Sequence, residues 1–303
     1  MKPLVSVIMN CHNGERFLNE AIESIYSQTY KNWEIVFWDN ASTDSSAKIA
    51  HSYDDKIRYF LATKKTPLGE ARNLALNKAS GKYIVFLDCD DLYFPKKIEK
   101  QVRLMEENKY VMCYGSGVTI NENGDEIKRI EAKNHSGYVF DSLLIHYEVG
   151  MQSVMLLKSY LIENDLEFDI NFSYGPDYNL FMLIASQKPI GLIKDFIVRD
   201  RVVKNSLQYS KESIVIAGSE VRITLDTIAK RYPELSEKFS KEFNQAYGKS
   251  KYYDAVASIY NKDIKLARKR MKPLISLRYE YLILYLLLFL PLSSKLILKL
   301  LRR

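Results

Sequence analysis

The chain alternates between two hydrophobic periods over its first ninety residues. Leu4 to Met9 is a short, mostly apolar run of the kind buried in a parallel sheet, and Phe17, Leu18, Ala21, Ile22 and Ile25 then recur at helical spacing. The same alternation returns with the strand Trp33 to Trp38 and the polar turn Asp39 to Asp44. It returns again with the strand Ile57 to Leu61 and a helix over Gly69 to Ala79, which Gly81 is expected to close as a left-handed cap. Tyr83 to Leu87 reads as a fourth strand. Strands separated by helices at this interval predict right-handed crossovers and an α/β fold built on a mostly parallel, doubly wound sheet. Beyond Pro95 the pattern predicts a helix through Met105 and a strand from Tyr110 to Ile120. The turn Asn121 to Asp125 then supports a hairpin, and the middle of the chain reads as mixed or antiparallel sheet. From about residue 210 the pattern is helical, through Ser213 to Arg231 and Pro233 to Arg270.

Doubly wound sheets bind ligands beyond the carboxyl ends of their strands, so Asn10 to Gly14, Asp39 to Asp44, Ala62 to Arg72 and Asp88 to Asp91 are the candidate segments. The last places three carboxylates at one strand end, which is costly without a cation. Oxygen donors of this kind suit Mg²⁺ or Mn²⁺, although Asp91 could equally cap the helix near Pro95. Composition narrows the reading further. With 47% hydrophobic and 27% charged residues the chain is globular rather than disordered. Cys11, Cys89 and Cys113 lack C-x-x-C spacing, which speaks against a zinc site or a disulfide framework and fits a reducing cytosol. The absence of a G-x-G-x-x-G argues against a dehydrogenase. The segment Asn10 to Gly14 lacks the glycine- and lysine-rich phosphate loop expected of a nucleotidyltransferase.

The first hundred residues carry a more specific pattern. Pro3 to Ile8 with Asn13, the run Ser24 to Trp33, the turn Asp39-Asn-Ala-Ser-Thr-Asp44, the helix start Gly69-x-Ala-Arg-Asn-x-Ala75 and the stretch Gly81 to Asp91 follow one another in order and register. Together they resemble glycosyltransferase family 2, of the GT-A (Rossmann-like) fold. The resemblance implies an inverting enzyme that moves a sugar from a nucleotide-diphosphate sugar to a hydroxyl of a glycan, with a divalent metal, Mn²⁺ or Mg²⁺, as cofactor. It implies that Asn10, His12, Asp39, Asn40 and Arg72 hold the nucleotide, with uridine expected. Asp90 would be the principal metal ligand, and Asp88 would contact the ribose or the metal's water shell. The segment Phe172 to Leu180 resembles the acidic pair before a helix that supplies the base, which here points to Asp177, a residue that could also simply cap that helix. The segment Asp200 to Leu207 resembles one that contacts the diphosphate, which points to Arg201 and Lys204. Four departures stand out: His12 replaces the usual Tyr, Asn40 a second Asp, Pro176 the usual Glu, and Val203 a His that helps hold the metal. An isopropyl group cannot ligate a cation, so the metal would depend on carboxylates, phosphate and water. Val203 and Pro176 also keep open a non-catalytic glycan- or membrane-binding relative.

Charge is uneven along the chain. Residues 261 to 303 hold 11 Lys or Arg against Asp263 and Glu280, while the remainder carries 33 basic and 35 acidic residues. All excess basicity therefore lies in the tail, which speaks against nucleic acid as a partner and for an anionic membrane surface. Tyr281 to Leu292 is an uncharged dozen, short of the ~20 residues needed to span a bilayer. Pro291 interrupts it, and Lys295, Lys299, Arg302 and Arg303 then alternate with Leu and Ile. An interfacial helix pair and a lipid-linked acceptor are expected, the alternative being a terminal helix packed on the protein. The expected organisation is a GT-A catalytic domain over 1–210 (a nucleotide-binding half, 1–105, and an acceptor half, 106–210), a helical extension over 211–270 and a membrane-associating tail over 271–303. The start MKPLVSVIMNCHNG has no signal h-region or cleavage site, so the expected location is cytoplasmic, peripheral on the inner face of the cell membrane.

Overall fold

In the computed structural model, which describes residues 2–203 and 211–301, the apolar runs become four parallel strands in the order β3-β2-β1-β4. These are β1 (Val5–Cys11), β2 (Trp33–Asp39), β3 (Ile57–Leu61) and β4 (Tyr83–Phe86). Helices α1 (Leu18–Tyr26), α2 (Ser46–Ala50) and α3 (Leu68–Leu76) connect them. α1 forms where it does because Leu18, Ala21, Ile22 and Ile25 share one face, and all four are buried in the core against β1 and β2 residues such as Val7 and Phe37.

The second half supplies β5 (Leu92–Tyr93), α4 (Lys97–Asn108), β6 (Met112–Ile120), β7 (Glu126–Ile130), α5 (Phe140–Ile145), β8 (Met155–Leu157), α6 (Lys158–Glu163), α7 (Pro176–Gln187) and β9 (Gly191–Arg201). β8 runs antiparallel between β4 and β6, β6 runs parallel to β9, and β5 pairs antiparallel with β9, so this half is mixed as its pattern predicts. β6 and β7 form the expected hairpin. The Asn121 side-chain oxygen accepts the N–H groups of Asn123 and Asp125, each at 2.9 Å, and Gly124 takes φ 88°. Two register extensions position the site. Pairing of Val85 with Met155 carries on toward Asp88 and Gln152, and pairing of Leu92 with Arg199 brings the loop before β5 against Asp200 and Arg201.

One local expectation is corrected. α3 stops at Leu76, with Asn77 still right-handed, and Gly81 does not adopt the left-handed conformation of a cap. Gly81 serves instead for close approach: a Cβ there would lie 2.5 Å from the Ser6 nitrogen, and its own N–H donates to Ser6 Oγ at 2.8 Å.

The described residues fall into two compact units, residues 2–140 with 148–203 and residues 141–147 with 211–301. The second is helical: α8 (Lys211–Arg231), α9 (Pro233–Lys238), α10 (Ser240–Tyr260), α11 (Ile264–Met271), α12 (Tyr279–Leu287) and α13 (Ser294–Leu301). The continuous helical pattern expected over 233–270 is interrupted at Phe239 and again at Lys262, whose φ is 62°. There Asp263 restarts the chain as α11 by accepting the Leu266 N–H at 2.9 Å. α8 and α10 are joined by Arg222, whose guanidinium meets the Asp254 carboxylate at 2.9 Å. Among the described residues no helix is long and apolar enough to cross a membrane.

Lys97 opens α4 and is fully buried, its Nζ donating to Gln101 Oε1 at 2.6 Å and lying 4.3 Å from the centre of the Tyr93 ring. Burial pushes its ammonium down to about 7. Below that pH both folded and unfolded chains carry the proton and the fold bears the whole penalty. Between about 7 and the ordinary lysine value near 10.4 only the unfolded chain carries it, so stability rises with pH, by up to about 4–5 kcal/mol at 1.36 kcal/mol per unit. Denaturant melts of wild type and Lys97→Met across pH 7 to 10 should show this rise in the wild type and its loss in the variant; parallel slopes would contradict the buried neutral amine.

Candidate active site

The loops after β1 and β2 are interlocked before any ligand arrives. Gly14 N–H donates to Ser46 Oγ (2.9 Å), Thr43 N–H to Asn13 Oδ1 (2.8 Å), Glu15 N–H to Asp44 Oδ2 (3.0 Å) and Ser45 N–H to Glu15 Oε2 (2.9 Å). Partial burial works against the Asp44 charge, but the hydroxyl of Ser46 and the backbone donors outweigh it, and its pKa falls below the usual value. Asn13 and Ala41 both sit at positive φ, 59° and 60°, and for Ala41 that conformation costs about 1–2 kcal/mol, strain of a kind found where loops are shaped for ligands.

Within this frame the expected nucleotide residues divide. Asn10, near the end of β1, has a buried side-chain Nδ2 without a hydrogen-bond partner. His12 is exposed. Its Nδ1 lies 3.0 Å from the Asn40 carbonyl, which can only accept, so Nδ1 carries the proton and Nε2 is left as an acceptor. Asn40 and Asp39 both have partners within the protein. The Asn40 amide is spent on Thr66, donating to its carbonyl (2.9 Å) and accepting its N–H (3.0 Å), which pins the loop before α3. Asp39 is fully buried, accepting Ser42 N–H (2.7 Å) and Tyr59 O–H (2.6 Å). As placed, Asp39 fixes the turn after β2 and Asn40 ties that turn to the segment before α3.

The acidic loop after β4 is held from two sides. Gln152, in the 3-10 turn before β8, donates through Nε2 to Asp88 Oδ2 and Asp91 Oδ2, both at 2.7 Å. Arg201 donates its backbone N–H to Asp91 Oδ1 (2.7 Å) and its Nε to the Asp90 carbonyl (2.9 Å). Asp91 therefore does not cap α4, whose start at Lys96 has no side-chain cap. Arg201 was expected on the diphosphate. Its guanidinium is instead committed to the Glu122 carbonyl (3.0 Å), to Glu20 (2.7 Å) and to the face of Phe17, with its side chain 1% exposed. Lys204, the other expected diphosphate contact, lies outside the described residues.

Burial and the neighbouring Asp88 carboxylate raise Asp90 to about 6. Burial with Asp88 and Asp90 raises Asp200 to about 6, and Asp91 is pushed well above the ordinary carboxylate range by burial and by Asp200. Four carboxylates thus crowd one strand end, and three of them, Asp90, Asp91 and Asp200, are raised by burial and by neighbouring carboxylates. Among the described residues no three His, Cys, Asp or Glu side chains converge tightly enough to cage a metal by themselves. Hard oxygen donors in mutual repulsion nevertheless fit a divalent ion that takes one or two protein ligands and completes its shell from phosphate and water.

Asp177 lies in the first turn of α7, after Gly175 as the N-cap, and so is not itself the cap. Burial raises its pKa, Asp88 adds to the rise and Arg72 opposes it, which places Asp177 within electrostatic reach of both. Arg72 is 4% exposed, its Nη2 lies 3.4 Å from Asp88 Oδ1, and its guanidinium stands 5.6 Å from the centre of the Phe168 ring. The segment carrying Phe168 is fixed to α3 by Asn73, which donates to the Phe168 carbonyl (2.8 Å) and accepts its N–H (3.0 Å). The site thus gains three residues that sequence reasoning did not assign: Gln152, Asp200 and Asn73. Asp200 lay inside a matched segment, and Asn73 inside the α3 motif. Gln152 carries no sequence signal.

A parallel-then-mixed sheet with acids at the end of β4 and a base candidate on α7 is the architecture of the GT-A glycosyltransferases. The chain belongs to glycosyl transferase family 2, whose model matches residues 6–161. An uncharacterized glycosyltransferase of Rickettsia felis is 38% identical over 200 residues, covering 65% of this chain and 33% of that one, and the chain spans about a third of the length of the first such relatives it matches. Two solved structures share the fold at 16% identity. TarS 1-349 of S. aureus, in complex with UDP-GlcNAc, has a TM-score of 0.62 over 89% of this chain and 88% of its own. The mannosyltransferase PcManGT of Pyrobaculum calidifontis, in complex with GDP-Man and Mn²⁺, has a TM-score of 0.63 over 95% and 84%.

The bridging amide of Gln152 is the one neutral group shared by two of the crowded carboxylates. Replacing it as Gln152→Leu should lower unfolding free energy by about 1–3 kcal/mol, the cost of leaving buried acceptors unpaired. An unchanged urea midpoint would show that the bridge carries no weight.

Proposed function

We propose that the chain is an inverting glycosyltransferase that takes a nucleotide-diphosphate sugar, a UDP-sugar first among them, and glycosylates a hydroxyl of a lipid-linked or cell-envelope glycan at the cytoplasmic face of a membrane. The observation that carries this reading is the meeting of Asp177, Arg72 and Asp88 beyond the strand ends. The acceptor oxygen attacks the anomeric carbon as the bond to the diphosphate oxygen breaks, and Asp177 receives the acceptor proton. Its raised pKa suits that task, since a base poised nearer neutral pH is more effective than an ordinary carboxylate. Arg72 favours the charged form of Asp177, opposing the effect of burial, and lends positive charge beside Asp88. Asn10 Nδ2 and His12 Nε2 are the groups free to meet a nucleotide.

Asp90, with Asp88 beside it, would hold Mn²⁺ or Mg²⁺, which when bound supplies charge to offset the departing diphosphate. Arg201 would act through the backbone it supports, and Lys204 would contact the diphosphate as the family resemblance implies. In domain terms, residues 1–210 would perform the chemistry, 211–270 would extend it and 271–303 would bring it to the membrane.

Thermal-shift titration with UDP-, GDP- and dTDP-sugars in Mn²⁺ or Mg²⁺ should find one donor that stabilises the protein, and Asp90→Ala should abolish the shift. Asp177→Asn should keep the shift while turnover with an envelope-lipid extract falls by about 10²–10⁴-fold. Donor turnover at the wild-type rate in Asp177→Asn would remove the base assignment, and stabilisation by no donor would remove the reading.

A further inference from the structure

α12 carries a single charged residue, Glu280, among apolar and aromatic ones, and its two sides have different fates. At about 100° per residue, Tyr281, Leu284 and Leu288 project together and are buried with Ala255, Ile259, Met271 and Ile297. Tyr279, Leu282, Ile283 and Leu286 project within a sector of about 100° on the opposite side, and Phe289 and Leu290 lie in the turn that follows the helix. These six are exposed, Tyr279 by 72%, Leu286 by 57% and Ile283 by 51%. A surface helix ordinarily presents polar residues on that side, and a contiguous apolar strip marks an interaction surface where scattered single residues would not.

One cation is fixed at the end of the strip and others lie on the neighbouring α11. Arg268 donates from Nε and Nη2 to the Leu288 carbonyl, at 2.9 and 2.6 Å, and its guanidinium covers the Phe289 ring at 4.4 Å, so one positive charge is fixed at its end. Lys265, Lys269 and Arg270 on α11 and Lys272 just after it are exposed, and α11 packs in the same helical cluster. Past residue 260 only Asp263 and Glu280 oppose 11 basic residues. A second copy of the chain on this strip would bring two such basic segments together. A bilayer with anionic headgroups offers both an apolar depth for the strip and a matching charge for its border.

We infer that the outward face of α12 is a docking surface for an anionic phospholipid bilayer, lying in the interface plane with the strip at the headgroup–acyl boundary. The inference rests on the membrane half of the function proposed above and is independent of its sugar-transfer half. Nine helical residues cover about 14 Å, less than half of a hydrocarbon core of about 30 Å, so the helix lies on the bilayer rather than across it. The strip is held rigidly by its buried side, which makes the tail a platform and not a tether.

Flotation of the full chain with phosphatidylcholine vesicles, alone or mixed with phosphatidylglycerol, tests this. The wild type should float with the mixed vesicles only, less so as salt rises, and Ile283→Glu/Leu286→Glu should reduce the bound fraction by at least about ten-fold. Both positions are exposed, so the variant should keep the wild-type melting temperature and its donor-induced thermal shift; the shift separates failure of docking from failure of the nucleotide reading. Equal flotation of the variant would overturn the inference and assign binding to the basic residues alone. A wild type that ignores mixed vesicles overturns it as well, and a concentration-dependent dimer abolished by the same variant would reassign the strip to self-association.

Discussion

Repulsion among Asp88, Asp90, Asp91 and Asp200 is the constraint around which the rest of the first unit is arranged. Carboxylates taken out of water at one strand end are unfavourable unless donors or a cation answer them. The fold supplies an incomplete answer: one glutamine amide, one backbone N–H and one arginine at the edge. The shortfall leaves excess negative charge at that strand end. It also explains why β5, only two residues long, is paired with β9 at all, since that pairing is what carries Arg201 to the loop.

Much of this was legible before the structure, and the limits of legibility have a physical pattern. Strands and helices whose apolar residues keep a regular period were readable because burial acts on each locally, as in α1. The end of α3 was not, because Gly81 answers to Ser6 on a neighbouring strand and not to its own helix. Residue chemistry was likewise readable while partner choice was not. The amide of Asn40 and the guanidinium of Arg201 are suited to nucleotides, yet Thr66 and Glu20 claim them, partners set by loop geometry and, for Glu20, by a separation of 181 residues. Gln152 shows the extreme: a lone glutamine becomes part of the site only through the antiparallel register of β8 on β4.

The two loops at the ends of β1 and β2 show how such a site can be kept in shape without a ligand. Their mutual hydrogen bonds satisfy backbone groups that would otherwise need water, and they hold Ala41 in a conformation that an isolated peptide would leave. The helical unit differs, since α12 uses one side to complete a core and leaves the other exposed.

The guanidinium of Arg201 has a mechanical consequence. Its three nitrogens reach in three directions within one rigid plane: to the Asp90 carbonyl in the acidic loop, to the Glu122 carbonyl at the tip of the β6–β7 hairpin and to Glu20 on α1. A lysine, with its charge at one point on a flexible stem, could not span them. The hairpin tip and the acidic loop are therefore geared together through a single flat linkage, and neither can swing without turning the other.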